Sequence, residues 1–391
     1  MSEVASLIVN WFRKNQRALP WRISGKRDPY LALVSEVMCQ QTRISTVIPY
    51  FQRWVQQFPS ILVLSGASED AVRAAWAGLG YYRRAIYLLH GAQFVVAEFK
   101  GVLPETSMGL LTVPGVGPYT AGAIASMCHN ERCTAIDGNV LRVVSRLKGL
   151  QGITVKDSSC RRIVQETVFE MVRGVAKRNV GAVNEGLMEI GATVCTPSGA
   201  PQCTKCPLRK QCVAFSLLQN GSIPVIDGFI PMKKTAMQKK VVHVAYLVVV
   251  AARKKKTEKK NSTMPHVNTD EVVMTRRDSK GLLANLHEFP SVEATHPFQN
   301  RAAIKQLLKK KFQFHSVRSL RHVAAFTHMF SHIEMHVDVF HNVDTTAAVE
   351  LVKILPMMEL VEVGSSCAEI TALNRKIFAT VFPRLKRQRE G

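Results

Sequence analysis

From Val4 to about Cys212 apolar residues recur every three or four positions, broken by short turns that contain glycine or proline. That period places the apolar side chains on one face of a helix. It predicts helices over Tyr30–Thr42, Glu69–Tyr81, Ala85–Phe99, Tyr119–Cys128, Asn139–Leu147 and Asn184–Val194. The punctuation falls at Leu19-Pro20, Gly78-Leu79-Gly80 and Pro114-Gly115-Val116-Gly117, where the chain must turn. After Cys212 the pattern changes. Gly221 to about Lys239 holds Pro224, Gly228 and Pro231 and ends in a basic run, which reads as a linker. Beyond it, β-branched alternating stretches over Val241–Ala252, Glu271–Thr275 and His332–Phe340 predict strands, with one helix over Arg301–Phe312. The expected organisation is an all-α region over residues 1–220, a linker over 221–239 and an α+β domain over 240–391.

Charge narrows the class. The 391 residues carry 52 Lys and Arg against 29 Asp and Glu, a formal net charge of +23. Such an excess points to a polyanionic partner. A membrane is the competing polyanion, but no uninterrupted apolar run reaches the roughly 18 residues of a spanning helix. No secretory signal is visible at Met1, where Trp11, Arg13 and Lys14 follow a short apolar stretch. The run Arg253–Lys260 reads as a solvated charged loop, and Arg384–Arg389 as a charged terminus with weak nuclear-import character.

Three groups of residues carry chemistry. Leu111 to Ala121 has the form of a helix-hairpin-helix, in which Val113, Gly115 and Gly117 bring backbone N–H groups against a phosphate at a helix N-terminus. Such contacts grip DNA without reading sequence. Cys195, Cys203, Cys206 and Cys212 form C-x7-C-x2-C-x5-C, a four-thiolate set that suits either zinc or a [4Fe–4S] cluster. Glu36 lies among Leu33, Val34, Val37 and Met38. A carboxyl group in such company can keep its proton near neutral pH, as a general acid must.

Asp137 follows the second hairpin glycine by 20 residues. Hairpin and Asp together resemble the signature of the helix-hairpin-helix, Gly/Pro-rich loop and Asp superfamily of DNA glycosylases. Leu19-Pro20-Trp21-Arg22, Asp28-Pro29-Tyr30, Val34 to Arg43 and Gly78 to Arg83 narrow the resemblance to the MutY-type adenine DNA glycosylases. It is strong over about residues 8–225 and weaker beyond. The resemblance implies a six-helix barrel with an iron–sulfur module, followed by a Nudix-like domain. It implies that Glu36 protonates N7 of a flipped adenine and that Asp137 stabilises the oxocarbenium-like sugar. Tyr119 and Asn139 become active-site helpers, and Arg22 and Glu185 line the adenine pocket. Gln41 and Tyr82 become wedges beside 8-oxoguanine. The four cysteines become ligands of a [4Fe–4S] cluster, with one residue more between the first two than the family's usual spacing. The bifunctional endonuclease III relatives place a lysine where this chain has Tyr119, so the resemblance implies base excision without strand cleavage.

Phe326 to His332 resembles the Phe-Ser-His loop of the MutY C-terminal domain. This implies that Phe330, Ser331 and His332 meet 8-oxoguanine. Gly281 to Pro290 also looks like that domain, with Asn285 and His287 in place of the family's usual Gly and Trp. No Glu-rich Nudix hydrolase box is present, so this domain is expected to bind and not to hydrolyse nucleotides. Cys39, Cys128, Cys133, Cys160 and Cys367 read as core or surface thiols. The expected partner is duplex DNA with an 8-oxoguanine·adenine or guanine·adenine pair, bound by a monomer. The expected place is the nucleus or mitochondrion, or the cytoplasm of a bacterium. Two other readings compete: an endonuclease-III-like enzyme for oxidised pyrimidines, and a damage-binding protein with a structural metal centre and no catalysis.

Overall fold

The computed structural model describes residues 1–22, 27–233, 239–250, 271–277, 287–294, 296–312, 320–330, 333–342, 352, 355, 358–362 and 371–381. The chain forms two compact units, residues 1–75 with 83–235, and residues 76–82 with 236–391.

The first unit is helical: α1 (Ser2–Asn15), α2 (Pro29–Cys39), α3 (Ile44–Gln57), α4 (Ile61–Ser65), α5 (Glu69–Trp76), α6 (Arg83–Phe99), α7 (Ser107–Leu110), α8 (Pro118–His129), α9 (Gly138–Lys148), α10 (Ser158–Arg173), α11 (Val180–Thr193) and α12 (Val213–Gln219). Asp28 caps α2 by accepting from the Tyr30 and Leu31 amides at 2.7 and 3.3 Å, with Pro29 in the first turn. The predicted helix over Glu69–Tyr81 stops at Trp76, because Gly78 and Gly80 take positive φ of 99° and 78°. One core gathers α1, α9, α10 and α11 through Ile8, Val144, Val168, Met171, Leu187 and Ile190, all fully buried.

Residues 221–233, the first part of the stretch read as a linker, are packed. Ile223, Ile226 and Ile230 are buried with Ala214, and the Met232 amide donates to Ile153 O at 3.0 Å. Proline and glycine set the turns, but three isoleucines anchor them.

The second unit contains β1 (Lys240–Val249), β2 (Glu271–Arg276), β3 (His287–Glu288), β4 (Ser291–Ala294), α13 (Arg301–Phe312), β5 (Leu320–Met329), β6 (Ile333–Asn342), β7 (Met358–Glu362) and α14 (Ala372–Val381). One sheet has the order β4-β1-β6-β5, with β1 and β6 parallel and the other pairs antiparallel. The other has the antiparallel order β3-β2-β7. Strand β1 is buried on both faces. Ala245, Leu247 and Val249 meet Ile304, Leu308 and Phe312 of α13, while Val244, Tyr246 and Val248 meet Leu373 and Ile377 of α14. That is why it reads as an almost continuous apolar run. The stretch from Phe326, expected as a loop, runs as strand to Met329, the end of β5. Ser331, His332, Arg253–Lys260 and Gly281–Leu286 lie outside the described residues. Among the described residues no helix is long and apolar enough to cross a membrane.

Candidate active site

The site grows from the meeting of α2 and α8. Tyr119 sits in the first turn of α8 and donates its hydroxyl to Glu36 Oε2 at 2.6 Å. Burial pushes the Glu36 carboxyl up to about 7. The Tyr119 hydrogen bond opposes that rise, and the charges of Glu185 and Asp137 add to it. Burial likewise raises the Tyr119 phenol well above its ordinary value. The pair is therefore a neutral phenol against a carboxyl poised to exchange a proton near neutrality.

Asp137 is the N-cap of α9. Its Oδ1 accepts from the Val140 amide at 2.8 Å, and its Oδ2 accepts from Asn139 Nδ2 at 2.6 Å. One carboxylate thus caps the helix and is fixed in orientation by two donors. Asn139 is held from behind: Arg142 Nη2 donates to its Oδ1 at 2.8 Å and to Gly191 O at 2.8 Å, while Arg142 Nε donates to Cys195 O at 2.8 Å. Gly191 is glycine because a Cβ there would lie 2.6 Å from Asn139 Cβ. The close approach of α11 to α9 at that point fixes the Asn139 backbone.

A rack of ion pairs lies on α11. Arg22 reaches Glu185 at 3.3 Å and Glu189 at 2.9 Å, Arg27 reaches Glu185 at 2.8 Å, and Arg17 reaches Glu189 at 2.6 Å. Burial works against the charge of Glu189, but hydrogen bonds from Arg17 and Arg22 hold its carboxyl below its ordinary value. The predicted pair Arg22 and Glu185 thus comes together, and Arg17, Arg27 and Glu189 are additions that the sequence did not mark.

At the hairpin, Gly115 takes φ 82° and a Cβ there would meet Tyr87 Cβ at 2.6 Å, so only glycine fits the turn. Val113 is buried, and Gly117 caps α8 with open space where a side chain would be. Gln41 is exposed with φ 55°. Tyr82, expected as a wedge, is only 7% exposed, and its hydroxyl accepts from the Gly78 amide at 3.3 Å. Its neighbour Tyr81 is 54% exposed with φ 49°. The glycines of Gly78-Leu79-Gly80 turn the first of the two tyrosines outward and leave Tyr82 buried in the absence of DNA.

Cys195, Cys203, Cys206 and Cys212 line one cavity, together with Arg146, Arg209, Phe215 and Ile226. Arg146 on α9 donates to Cys195 Sγ at 3.3 Å, to Thr196 O at 2.9 Å and to Ile230 O at 2.9 Å. No three Cys, His, Asp or Glu side chains among the described residues close on a common point as a single ion requires. In the second unit Phe330 is half-buried, packs against the α14 face of the core and meets His328 edge-on at 4.6 Å. Its amide donates to Ile333 O at 2.8 Å.

A model of the HhH-GPD superfamily of base excision DNA repair proteins matches residues 34–167, and a NUDIX domain model matches residues 264–379. An adenine DNA glycosylase of Mus musculus is 33% identical over 364 residues, covering 86% of this chain and 69% of its own. This chain belongs to the adenine DNA glycosylase family. A second member, from Arabidopsis thaliana, is 37% identical over 367 residues, covering 85% of this chain. The chain spans only 56% of the length of that relative. A third, from Buchnera aphidicola subsp. Acyrthosiphon pisum, is 31% identical over 337 residues, 85% of each chain. The superfamily match contains Glu36, the hairpin, Tyr119, Asp137 and Asn139, and it ends before the four cysteines. The NUDIX match spans β2 to α14, so this family member pairs a helical glycosylase region with a Nudix-like α+β domain.

Proposed function

We propose that the chain is a monofunctional DNA glycosylase that hydrolyses the N-glycosidic bond of adenine mispaired with 8-oxoguanine or guanine. The observation that carries this reading is the buried Glu36 carboxyl, pushed up to about 7 and bonded to Tyr119 at 2.6 Å. Glu36 gives its proton to N7 of an extruded adenine. The C1′–N9 bond breaks with its electron pair going to the base. Asp137, oriented by Asn139 and its own helix, faces the oxocarbenium-like sugar. Water adds to C1′ and loses a proton, leaving an abasic site and restoring the protonated acid. Arg22 and Glu185 line the base pocket, and the adenine amino group is a donor suited to a carboxylate there. Gln41 and Tyr82 are assigned to the stack opposite, where extrusion costs a few kcal/mol. Phe330, Ser331 and His332 are assigned to 8-oxoguanine.

The four cysteines fit a [4Fe–4S] cluster. Four cysteines line one cavity, a thiolate donor set of the kind that holds such a cluster. When bound, such a cluster supplies a thiolate-held redox centre that ties residues 195–212 together. The chain's own contribution is Arg146, which donates to one sulfur and to the backbone on either side.

Tyr119 has no amine and cannot form a Schiff base, which disfavours the endonuclease-III-like reading. The test is single-turnover reaction with a labelled duplex containing one 8-oxoguanine·adenine pair, read with and without alkali. Breakage only after alkali supports excision without lyase chemistry. Direct nicking of a thymine-glycol duplex with no adenine loss replaces this reading with the alternative, and tight binding without either reaction replaces it with a non-catalytic reader.

A further inference from the structure

Arg84, in the first turn of α6, is buried at 8% exposure and ends against the C-terminus of α2. Its Nη1 donates to Val37 O at 2.7 Å, Met38 O at 2.9 Å and Gln40 O at 2.7 Å, and its Nη2 donates to Thr42 Oγ1 at 3.1 Å. These carbonyls end a helix that offers them no further amides, and a cation there also meets the negative end of the helix dipole. The Thr42 hydroxyl in turn donates to Gln40 O at 3.3 Å, and the Thr42 amide to Cys39 O at 3.3 Å.

One guanidinium therefore clamps the residues on both sides of Gln41. Gln41 is exposed and takes φ 55°, a left-handed backbone that is unfavourable for a residue with a Cβ and persists only when its surroundings impose it. Four acceptors around one planar fork are also beyond the reach of a lysine ammonium. We infer that Arg84 is the positioning residue for Gln41. It holds the Gln40–Thr42 turn in shape before DNA arrives, so that the Gln41 side chain meets the base stack already aimed. The inference rests on the proposed reading of Gln41 as a wedge in a base-extruding enzyme. Arg84 touches neither substrate nor the reacting atoms. Its action is on extrusion, and Glu36 keeps the chemical step.

The test uses the full chain and a duplex with 2-aminopurine opposite 8-oxoguanine, whose fluorescence rises on extrusion. Gln41→Ala and Arg84→Lys should each weaken extrusion on the order of tenfold, which for Arg84→Lys is the equilibrium equivalent of a left-handed backbone penalty. The double variant should fall no further than either single one, since both act through the same side chain. The pH midpoint of adenine excision should stay at the parent's value in Arg84→Lys. Thr42→Val removes one of the four contacts from a partly exposed turn, and should shift extrusion in the same direction even where Arg84 variants fail to fold. Additive losses, a moved pH midpoint, or full extrusion in Arg84→Lys and Thr42→Val would overturn the assignment. A parent chain that extrudes the base through Arg84 and Gln41 but never excises adenine would leave this inference standing and remove the excision reading.

Discussion

Arg142 donates to the Asn139 side-chain carbonyl at 2.8 Å and so decides which end of that amide faces Asp137. With the carbonyl engaged, the Asn139 amide nitrogen must point at the Asp137 carboxylate, 2.6 Å away. The same guanidinium holds Gly191 O and Cys195 O. The loop that carries the first cysteine is thereby tied to the catalytic candidates through a single side chain.

Arg142→Met should free the Asn139 amide to rotate and should lower single-turnover adenine excision on the order of 10²-fold, the scale of a misplaced active-site group. Binding of the damaged duplex should change far less. Rapid-quench rates beside binding curves for the same variant check this.

Gly191→Ala should act on the same residue from the other side. Its new Cβ would stand 2.6 Å from Asn139 Cβ, and helix packing leaves no room to yield. A stability loss of roughly 1–3 kcal/mol by overpacking is expected in urea unfolding, with slower excision in the protein that remains folded.

The Glu36 carboxyl makes stability depend on pH. Its folded-state value of about 7 lies above the ordinary 4.5, so its protonated form is the one that folding favours. The stability it contributes is fully present below about 4.5 and is lost as pH rises through about 7. Glu36→Gln, neutral throughout, should gain on the parent above pH 7, by at most about 3 kcal/mol at 1.36 kcal/mol per pKa unit. Urea unfolding without DNA at pH 5 and pH 8 reads this directly.

Gly115→Ala should weaken binding to damaged and undamaged duplex alike. The turn needs φ 82°, and the added Cβ would meet Tyr87 Cβ. A distorted hairpin loses phosphate contacts, which carry no sequence information. Anisotropy titrations on both duplexes should shift in parallel.

Purified protein should contain iron and inorganic sulfide in equal amounts and little zinc, by metal and sulfide analysis. Cys203→Ser should lose both and should lower the unfolding temperature, because Cys203 packs against the Ile223–Ile230 segment. Stoichiometric zinc in the parent would replace the cluster assignment.

Much of the fold was legible because helices advertise themselves by period. The unit containing α2, α6, α8, α9 and α11 appears within a few residues of where apolar spacing puts it. Boundaries fail where backbone special cases intervene, as at Gly78 after Trp76 and at Gln41 after α2. Strand β5 lacks an apolar alternation because its partly buried face carries His322 and His328 while Val323 and Met329 are exposed. In the site, Glu36 is marked by its apolar neighbours and Asp137 by its spacing from the hairpin, while Tyr119, Asn139, Arg22 and Glu185 come from resemblance. Arg142, Arg146, Arg84 and Arg27 were not. Each is a buried or half-buried arginine whose value comes from carbonyls, thiols and carboxylates brought by distant parts of the chain. An arginine on a helix looks the same in sequence whether it faces water or a cluster ligand. The different exposure of Tyr81 and Tyr82 has a related cause, since two adjacent tyrosines differ only in which way a glycine turn faces them.

Whether Glu36 is the acid is read from the single-turnover rate of adenine excision from an 8-oxoguanine·adenine duplex, measured from pH 5 to pH 9 for the parent and for Glu36→Gln. The parent rate should fall as pH rises through about 7, with Glu36→Gln slower by roughly 10²–10⁴-fold and without that fall. A Glu36→Gln variant that excises adenine at the parent's rate would contradict that role.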